Sequence, residues 1–369
     1  MSPVRERFGN PQIIAASFLL LFLAQCIWFI DRVPLGQREF GDVYRALNPQ
    51  TNRTEHSPLL APVLRIVVPR SAMLPNGQLD QFVVNQRRWL IRAPFVLAGV
   101  LLGASLWYVA RRLYGNAGGY IALAIYIFTP SVIARSSLID PASSGAWGTF
   151  GLIFTGIAVS HTLYAPREVV LWNWKRILLL GLSIALAIGS EPALAISLVL
   201  ALALMLWLAP HRKGAVVLIL LAATIVASVA LAVALWFGSG FNYTASSFEP
   251  SSLIRPVAWK LLASSLLTNG PAPIVLTLIA LATWLAWKHT RFFGTAAPLL
   301  VAVILTLLGI IIPAAALTFF FVALPMWMVF TAGVFADLLE TRRRGVVLGI
   351  TFGILLAHAA YSAIALARL

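Results

Sequence analysis

Stretches of about twenty consecutive apolar residues recur from one end of this chain to the other, and that recurrence leaves few folds open. A helix needs about twenty residues to cross the hydrocarbon of a bilayer, and a backbone in lipid must satisfy its own amides and carbonyls. The ten-residue alternating segments of a membrane barrel are missing. Of the 369 residues, 60% are hydrophobic and 11% charged, and the mean hydropathy is +0.90. A soluble domain would carry about twice that charge. The sequence therefore predicts an all-α, polytopic transmembrane helical protein. Its single cysteine, Cys26, lies in the first apolar run and rules out an internal disulfide.

Spans are expected near 12–30, 91–110, 118–134, 145–163, 215–237, 273–287, 296–312, 314–335 and 346–367. The run 177–208 is too long for one span and is broken by Gly189-Ser190-Glu191-Pro192. Proline has no amide to donate and restricts the residue before it, so two short helices are expected there. The total is roughly eleven. The opening residues lead into the first run without a small-residue cleavage site, so that helix is expected to be retained. The whole chain reads as one membrane domain without a separate soluble part. It comprises a module over 12–208, with a long loop at 31–90, and a helical C-terminal region over 215–369.

The formal charge of +15 comes mostly from arginine. With the N terminus in the cytoplasm, alternate loops carry Arg5/Arg7, Arg111/Arg112, Arg167/Lys175/Arg176, Arg212/Lys213, Lys288/Arg291 and Arg342/Arg343/Arg344. All are short and basic, as the positive-inside rule requires. Topology and anionic lipid thus account for the charge, and no nucleic-acid partner is called for. The opposite, non-cytoplasmic face receives the 31–90 loop, the turns at Asp140 and Glu191, and the Glu249 loop. The expected membrane is a bacterial inner (plasma) membrane, part of the cell envelope. The 31–90 loop nevertheless holds Arg32, Arg38, Arg45, Arg53, Arg65, Arg70, Arg87 and Arg88. Either long loops escape the charge rule, or these arginines hold phosphate through a bidentate fork. Within that loop, 59–68 and 82–89 read as helices lying at the interface, with Trp89 as an anchor.

Chemistry can come from few residues. Asp42, two residues before Tyr44 and three before Arg45, could serve as a general base toward an acceptor hydroxyl, or be a solvated loop acid. His56, in His56-Ser57-Pro58-Leu59, could join the same site or simply be exposed. Asp140 precedes Pro141 and fits an N-cap as well as a site carboxylate. Glu191 lies between two apolar helices, where an ionisable group is a functional candidate and equally a wet turn. Arg135, Arg255 and Lys260 are candidate phosphate partners. Walker loops, His-Glu-x-x-His, paired cysteines and a dinucleotide fingerprint are absent, so no metal ligand set or cofactor is read; room remains for a divalent cation. Asn52 and Asn242 begin glycosylation sequons.

The order of these motifs resembles the GT-C class of membrane glycosyltransferases, in the branch holding dolichyl-phosphate-mannose protein mannosyltransferases and lipid A aminoarabinose transferases. The resemblance rests on acid-x-Tyr at Asp42–Tyr44, His56-x-Pro58-Leu59, Arg92-Ala93-Pro94, and Ala110-Arg111-Arg112-Leu113-Tyr114-Gly115. It continues with Thr129-Pro130 and with Asp140 after Ser136-Ser137-Leu138-Ile139, covering about 18–208. It implies an inverting enzyme that takes sugar from a polyprenyl-phosphate carrier to a protein, lipid or glycan acceptor outside the cytoplasm. It makes Asp42 and Asp140 the catalytic acids. Tyr44, Arg45, His56, Arg92, Arg135, Glu191 and Arg255 are then expected to touch substrate, among the surrounding membrane lipids. Two departures stand out: Val43 follows Asp42 where the family often has a second acid, and Glu191 stands where a basic residue is common. A silent GT-C-like accessory or scaffold subunit with partners in a membrane complex is the other reading. A secondary transporter is disfavoured, because the charges gather on one face instead of at the midplane.

Overall fold

A backbone that cannot bond to solvent folds into helices, and the chain does so throughout the computed structural model, which describes residues 10–48, 57–69, 72–74, 78–164, 169–238, 256–286, 292–312 and 315–368. His56, Asn52, Asn242, Glu249 and Arg255 lie outside the described residues. The first half holds α1 (Asn10–Arg32), α2 (Gln37–Leu47), α3 (Leu60–Val67), α4 (Gln81–Gln86), α5 (Arg88–Ile127), α6 (Pro130–Ser137) and α7 (Ala142–Thr162). Then come α8 (Val169–Ser190), α9 (Ile196–Leu208) and α10 (Lys213–Gly238). The chain ends with α11 (Pro256–Thr268), α12 (Pro271–Ala286), α13 (Phe292–Ile311), α14 (Ala316–Leu339) and α15 (Arg344–Ala367). Among the described residues, seven helices are long and apolar enough to cross a membrane, or up to eight if one bent pair counts as a span.

Two differences from the expected spans have local causes. The ranges 91–110 and 118–127 merge into α5, which is interrupted at Gly115, where φ is +80°, and the rest of the expected 118–134 span runs on into α6. Part of the Glu249 loop, expected to fill the polar stretch between the spans 215–237 and 273–287, is instead the helix α11. Pro256 at its first position is pre-set for helix, and an apolar sequence follows. This helix meets α12 at 108°, across Gly270 at φ +84°. The 177–208 break appears as expected, with Glu191 in extended conformation between α8 and a short 3-10 turn, Pro192–Ala195.

By internal contact the chain divides into two compact units. One comprises 1–33, 96–137 and 251–369; the other comprises 34–95 and 138–250. In the first, α14 is almost wholly enclosed, with 94% of its span buried. There the Tyr126 hydroxyl donates to the Gly99 carbonyl at 2.6 Å, and the Phe22 and Tyr126 rings lie 5.4 Å apart.

In the second unit, α7 lies against α8 through glycines, as helices do where lipid gives no hydrophobic drive to associate. A Cβ on Gly148 would stand 2.4 Å from the Ala187 amide nitrogen, and one on Gly151 would stand 2.5 Å from the Ser183 hydroxyl. The 31–90 loop supplies this unit with a core of its own: Leu35, Val43, Ala46, Leu64, Val84 and Ile91 close together with Ile139. Its helix α3 falls inside the stretch 59–68, while α4 begins at Gln81, one residue before the stretch 82–89, and ends at Gln86, with Arg88 and Trp89 already in α5. Asp80 caps α4, accepting from the Phe82 and Val83 amides at 3.1 Å.

The glycines give a graded test. Gly148→Ala drives a methyl into backbone, which cannot rotate away, and should cost about 1–3 kcal/mol. In Gly151→Ala the Ser183 side chain can turn aside, so the loss should be smaller. Thermal unfolding of the purified protein in detergent should therefore rank wild type above Gly151→Ala and Gly151→Ala above Gly148→Ala; equal midpoints would contradict this packing.

Candidate active site

The second unit holds Glu39, Asp42, Asp140 and Glu191, and one buried ion pair fixes the segments that carry the first three. Gly36 is extended and opens α2, and Glu39, at the third helical position, accepts its amide at 3.0 Å. That is the glutamate half of a capping box. From the first turns of α5, Arg92 donates through Nε to Glu39 Oε1 at 2.9 Å and through Nη2 to Oε2 at 2.5 Å. Arg92 also donates to the Pro34 carbonyl at 3.1 Å. The Ile139 amide adds a fourth hydrogen bond to the Glu39 carboxylate, at 3.0 Å on Oε1. Arg92 is fully buried and Glu39 is 6% exposed.

This pair fixes two acid-bearing segments. Asp42 follows Glu39 by one helical turn, and Asp140 follows Ile139 directly. Asp42 accepts from Arg45 Nη2 at 2.8 Å, and its side chain is 12% exposed. Burial pushes its pKa up; Arg45 and Arg38 pull it down, while Asp140 and Glu39 push it further up. Asp140 accepts the Ala142 amide at 2.9 Å, as an N-cap does, at the start of α7. Glu191 is raised to about 6, first by burial and then by Asp140, against a lowering from the Ala193 amide. The field of Asp140 thus reaches both Asp42 and Glu191. The end of the His56–Leu59 motif is tied in beside them. Leu59 donates its amide to the Gly189 carbonyl at 2.8 Å, and the Ser57 hydroxyl donates to the same oxygen at 3.2 Å.

The remaining expected residues divide. The Tyr44 hydroxyl accepts from Asn48 Nδ2 at 3.3 Å on its own helix. Arg92, read from the sequence as a substrate contact, has its guanidinium engaged by Glu39 and Pro34. Arg135 lies on α6 in the other unit, its guanidinium 5.1 Å from the centre of the Phe321 ring. His56 and Arg255 are outside the described residues. Sequence reasoning missed Glu39, although Gly36-x-x-Glu39 ahead of an amphipathic helix was a usable cap signal. Among the described residues, no three His, Cys, Asp or Glu side chains are arranged to hold a metal ion. What the arrangement can do is move a proton, because a half-buried carboxylate raised toward neutrality can take one up and release it.

No family model matches the chain, and no curated protein matches it. Its fold is similar to solved structures of the archaeal oligosaccharyltransferase AglB from Archaeoglobus fulgidus. The complex with an inhibitory peptide and a dolichol-phosphate superposes with TM-score 0.54 and 13% identity, over 95% of this chain and 55% of that one. The apo form gives 0.52 and 12% over 93% and 56%, and the complex with Zn and sulfate gives 0.50 and 14% over 93% and 53%. The chain spans about half the length of those proteins. The fold is all-α and polytopic, similar to the part of the oligosaccharyltransferase that it covers, and the chain is an integral membrane protein.

Two measurements test this geometry. Folded Glu191 holds its proton up to about pH 6, whereas an unfolded glutamate releases it near 4.5. Between those values the folded state binds more protons, so this group makes stability fall as pH rises. Glu191→Gln should therefore unfold at a higher temperature than wild type at pH 8 and at the same temperature at pH 4; a gain confined to acid would contradict the shift. Separately, Glu39→Gln or Arg92→Met alone should cost about 3–5 kcal/mol, by leaving a buried charge without its partner. The double variant should cost less than the sum of the two, in a cycle of unfolding midpoints.

Proposed function

We propose that this GT-C-like fold is a glycosyltransferase that moves a sugar from a polyprenyl-phosphate carrier to an acceptor on the non-cytoplasmic face of the membrane. The observation that carries the reading is Asp42: partly buried, raised in pKa, steadied by Arg45, and electrostatically coupled to Asp140. A phosphate is already a good leaving group, so the chemistry needs a base for the acceptor and cations for the departing charge.

In a single displacement the acceptor oxygen bonds to the anomeric carbon, and the bond from that carbon to the phosphate oxygen breaks. The acceptor proton passes to Asp42, the electron pair leaves with the polyprenyl phosphate, and the anomeric configuration inverts. Asp140 and Glu191 accept hydrogen bonds from sugar or acceptor hydroxyls. Tyr44, Arg45, His56, Arg135 and Arg255 are proposed as phosphate or sugar contacts, while Arg92 acts through Glu39 by holding the two acids in place. The short basic loops support a cytoplasmic N terminus, which puts the 31–90 loop, Asp140 and Glu191 outside, in a bacterial inner membrane.

Asp42→Asn should lower transfer by about 10²–10⁴-fold in membranes supplied with a polyprenyl-phosphate sugar, with the protein still present at normal level. Unchanged turnover would remove Asp42 as the base. A wild type silent toward every such donor, yet purifying with a stable partner, would favour the accessory-subunit reading. Arg45→Gln adds a signed test. It removes a cation that holds the Asp42 pKa down, so the acidic limb of the rate profile should move to higher pH.

A further inference from the structure

The acid-bearing unit has a second cross-connection, and this one reaches Glu191. The helix α8 ends at Ser190, so its last carbonyls have no amide from a following turn. The amide four residues on from Gly189 belongs to Ala193, beyond Pro192, and it acts on the Glu191 carboxylate. The Gly189 carbonyl is served from the 31–90 loop instead, by the Leu59 amide at 2.8 Å and the Ser57 hydroxyl at 3.2 Å. Ser57 is 2% exposed, so a lost donor there leaves a buried carbonyl short of a partner. A Cβ on Gly189 would stand 2.5 Å from Leu59 Cγ and 2.8 Å from a Leu231 methyl carbon. The absence of a side chain at Gly189 is what lets Leu59 lie on the end of α8, beside α10.

The same short segment is anchored at its other end. Ser57 and Leu59 lead into α3: the Leu60 amide donates to the Ser57 carbonyl and the Val63 amide to the Leu59 carbonyl, both at 3.3 Å. Further along α3, Arg65 donates through Nε to the Ala46 carbonyl of α2 at 2.6 Å. Ala61 and Leu64 of α3 share one core with Val43 and Ala46 of α2. Asp42 precedes Ala46 by one helical turn. With eight residues, α3 spans about 12 Å, and its two ends are bonded to two different acid-bearing segments.

We infer that α3 is a strut that holds Glu191 at a set distance from Asp42, with Ser57, Leu59 and Arg65 as positioning residues. Glu39 and Arg92 tie Asp140 to α2, and α3 ties Glu191 to it, so both outlying acids are held from the helix that carries Asp42. The strut stands on hydrogen bonds and packing; that it serves sugar transfer rests on the reading above. A misplacement of about 1 Å can cost about 10²-fold in rate, which gives such a connection its use.

The test uses the full chain in nanodiscs, isotopically labelled at the glutamate carboxyl carbons for NMR, with the Glu191 signal assigned by its loss in Glu191→Gln. In the wild type, burial and Asp140 hold the Glu191 midpoint at about 6. Ser57→Ala and Arg65→Met should each loosen the turn and admit water to Glu191, moving the midpoint down toward 4.5. Ser57→Thr and Arg65→Lys keep a donor and should hold the wild-type midpoint. Transfer should fall with the midpoint, by up to about 10²-fold in Ser57→Ala. A midpoint that moves with Ser57→Ala and ignores Arg65→Met would reduce the contact to a local cap and overturn the strut, as would no movement in either. Should Ser57→Ala fail to fold, the Arg65 pair decides alone, since Arg65 bonds at the end of α3 away from Gly189. If the midpoints move as expected but the wild type transfers no sugar from any polyprenyl-phosphate donor, the strut stands and the catalytic reading falls. If the wild type transfers sugar and Arg65→Met changes neither midpoint nor rate, the strut falls and the catalytic reading stands.

Discussion

The Glu39 carboxylate organises the acid-bearing half of this protein, and its burial explains why it can. Removing a carboxylate and a guanidinium from water costs several kcal/mol per ion unless every lone pair and N–H finds a partner. Glu39 meets that condition with four hydrogen bonds, from Gly36, Ile139 and two nitrogens of Arg92. Two of those connections bridge 53 and 100 residues of sequence. An apolar pair of equal volume could fill the space, but it could not fix the Ile139 amide, and with it Asp140, relative to the turn of α2 that carries Asp42.

How much of this was legible depends on how local the cause is. The Glu191 turn was readable because Gly-Ser-Glu-Pro breaks a helix whatever surrounds it. Asp140 before proline announced a helix start, and the Ala142 amide bonds it as a cap should be bonded. The helix α2 was missed because its composition is polar. Phe40, Val43 and Leu47 nonetheless recur at helical spacing, and Val43 is fully buried. Pro256–Thr268 reads as loop from the sequence because it follows a polar stretch, although its own residues favour helix. Arg92 could be marked as notable from the sequence, but its partner could not be read, since nothing local joins position 92 to position 39.

The arginines of the 31–90 loop illustrate the same limit. The sequence offers two explanations for their abundance, escape from the charge rule or phosphate binding. The structure adds a third for some of them. Arg65 donates through Nε to the Ala46 carbonyl at 2.6 Å, near the C-terminal end of α2, where cations favour the helix dipole and its unpaired carbonyls. Arg45 is engaged by Asp42 and by the Gly41 carbonyl. Part of the positive charge is therefore spent on building the loop's own fold and on holding one acid ionised.

No acid follows Asp42, yet Glu39 stands one helical turn before it, and its charge goes into structure. The acid that adds to the local negative field comes instead from Glu191, in a different helix pair and raised in pKa by burial and by Asp140. Like charges brought together without a metal-binding arrangement raise one another's proton affinity. Asp42 has Arg45 and Arg38 pulling its pKa down against the rise that burial imposes. Those cations offset part of the burial that favours its neutral form, and a base must be ionised before it can accept a proton.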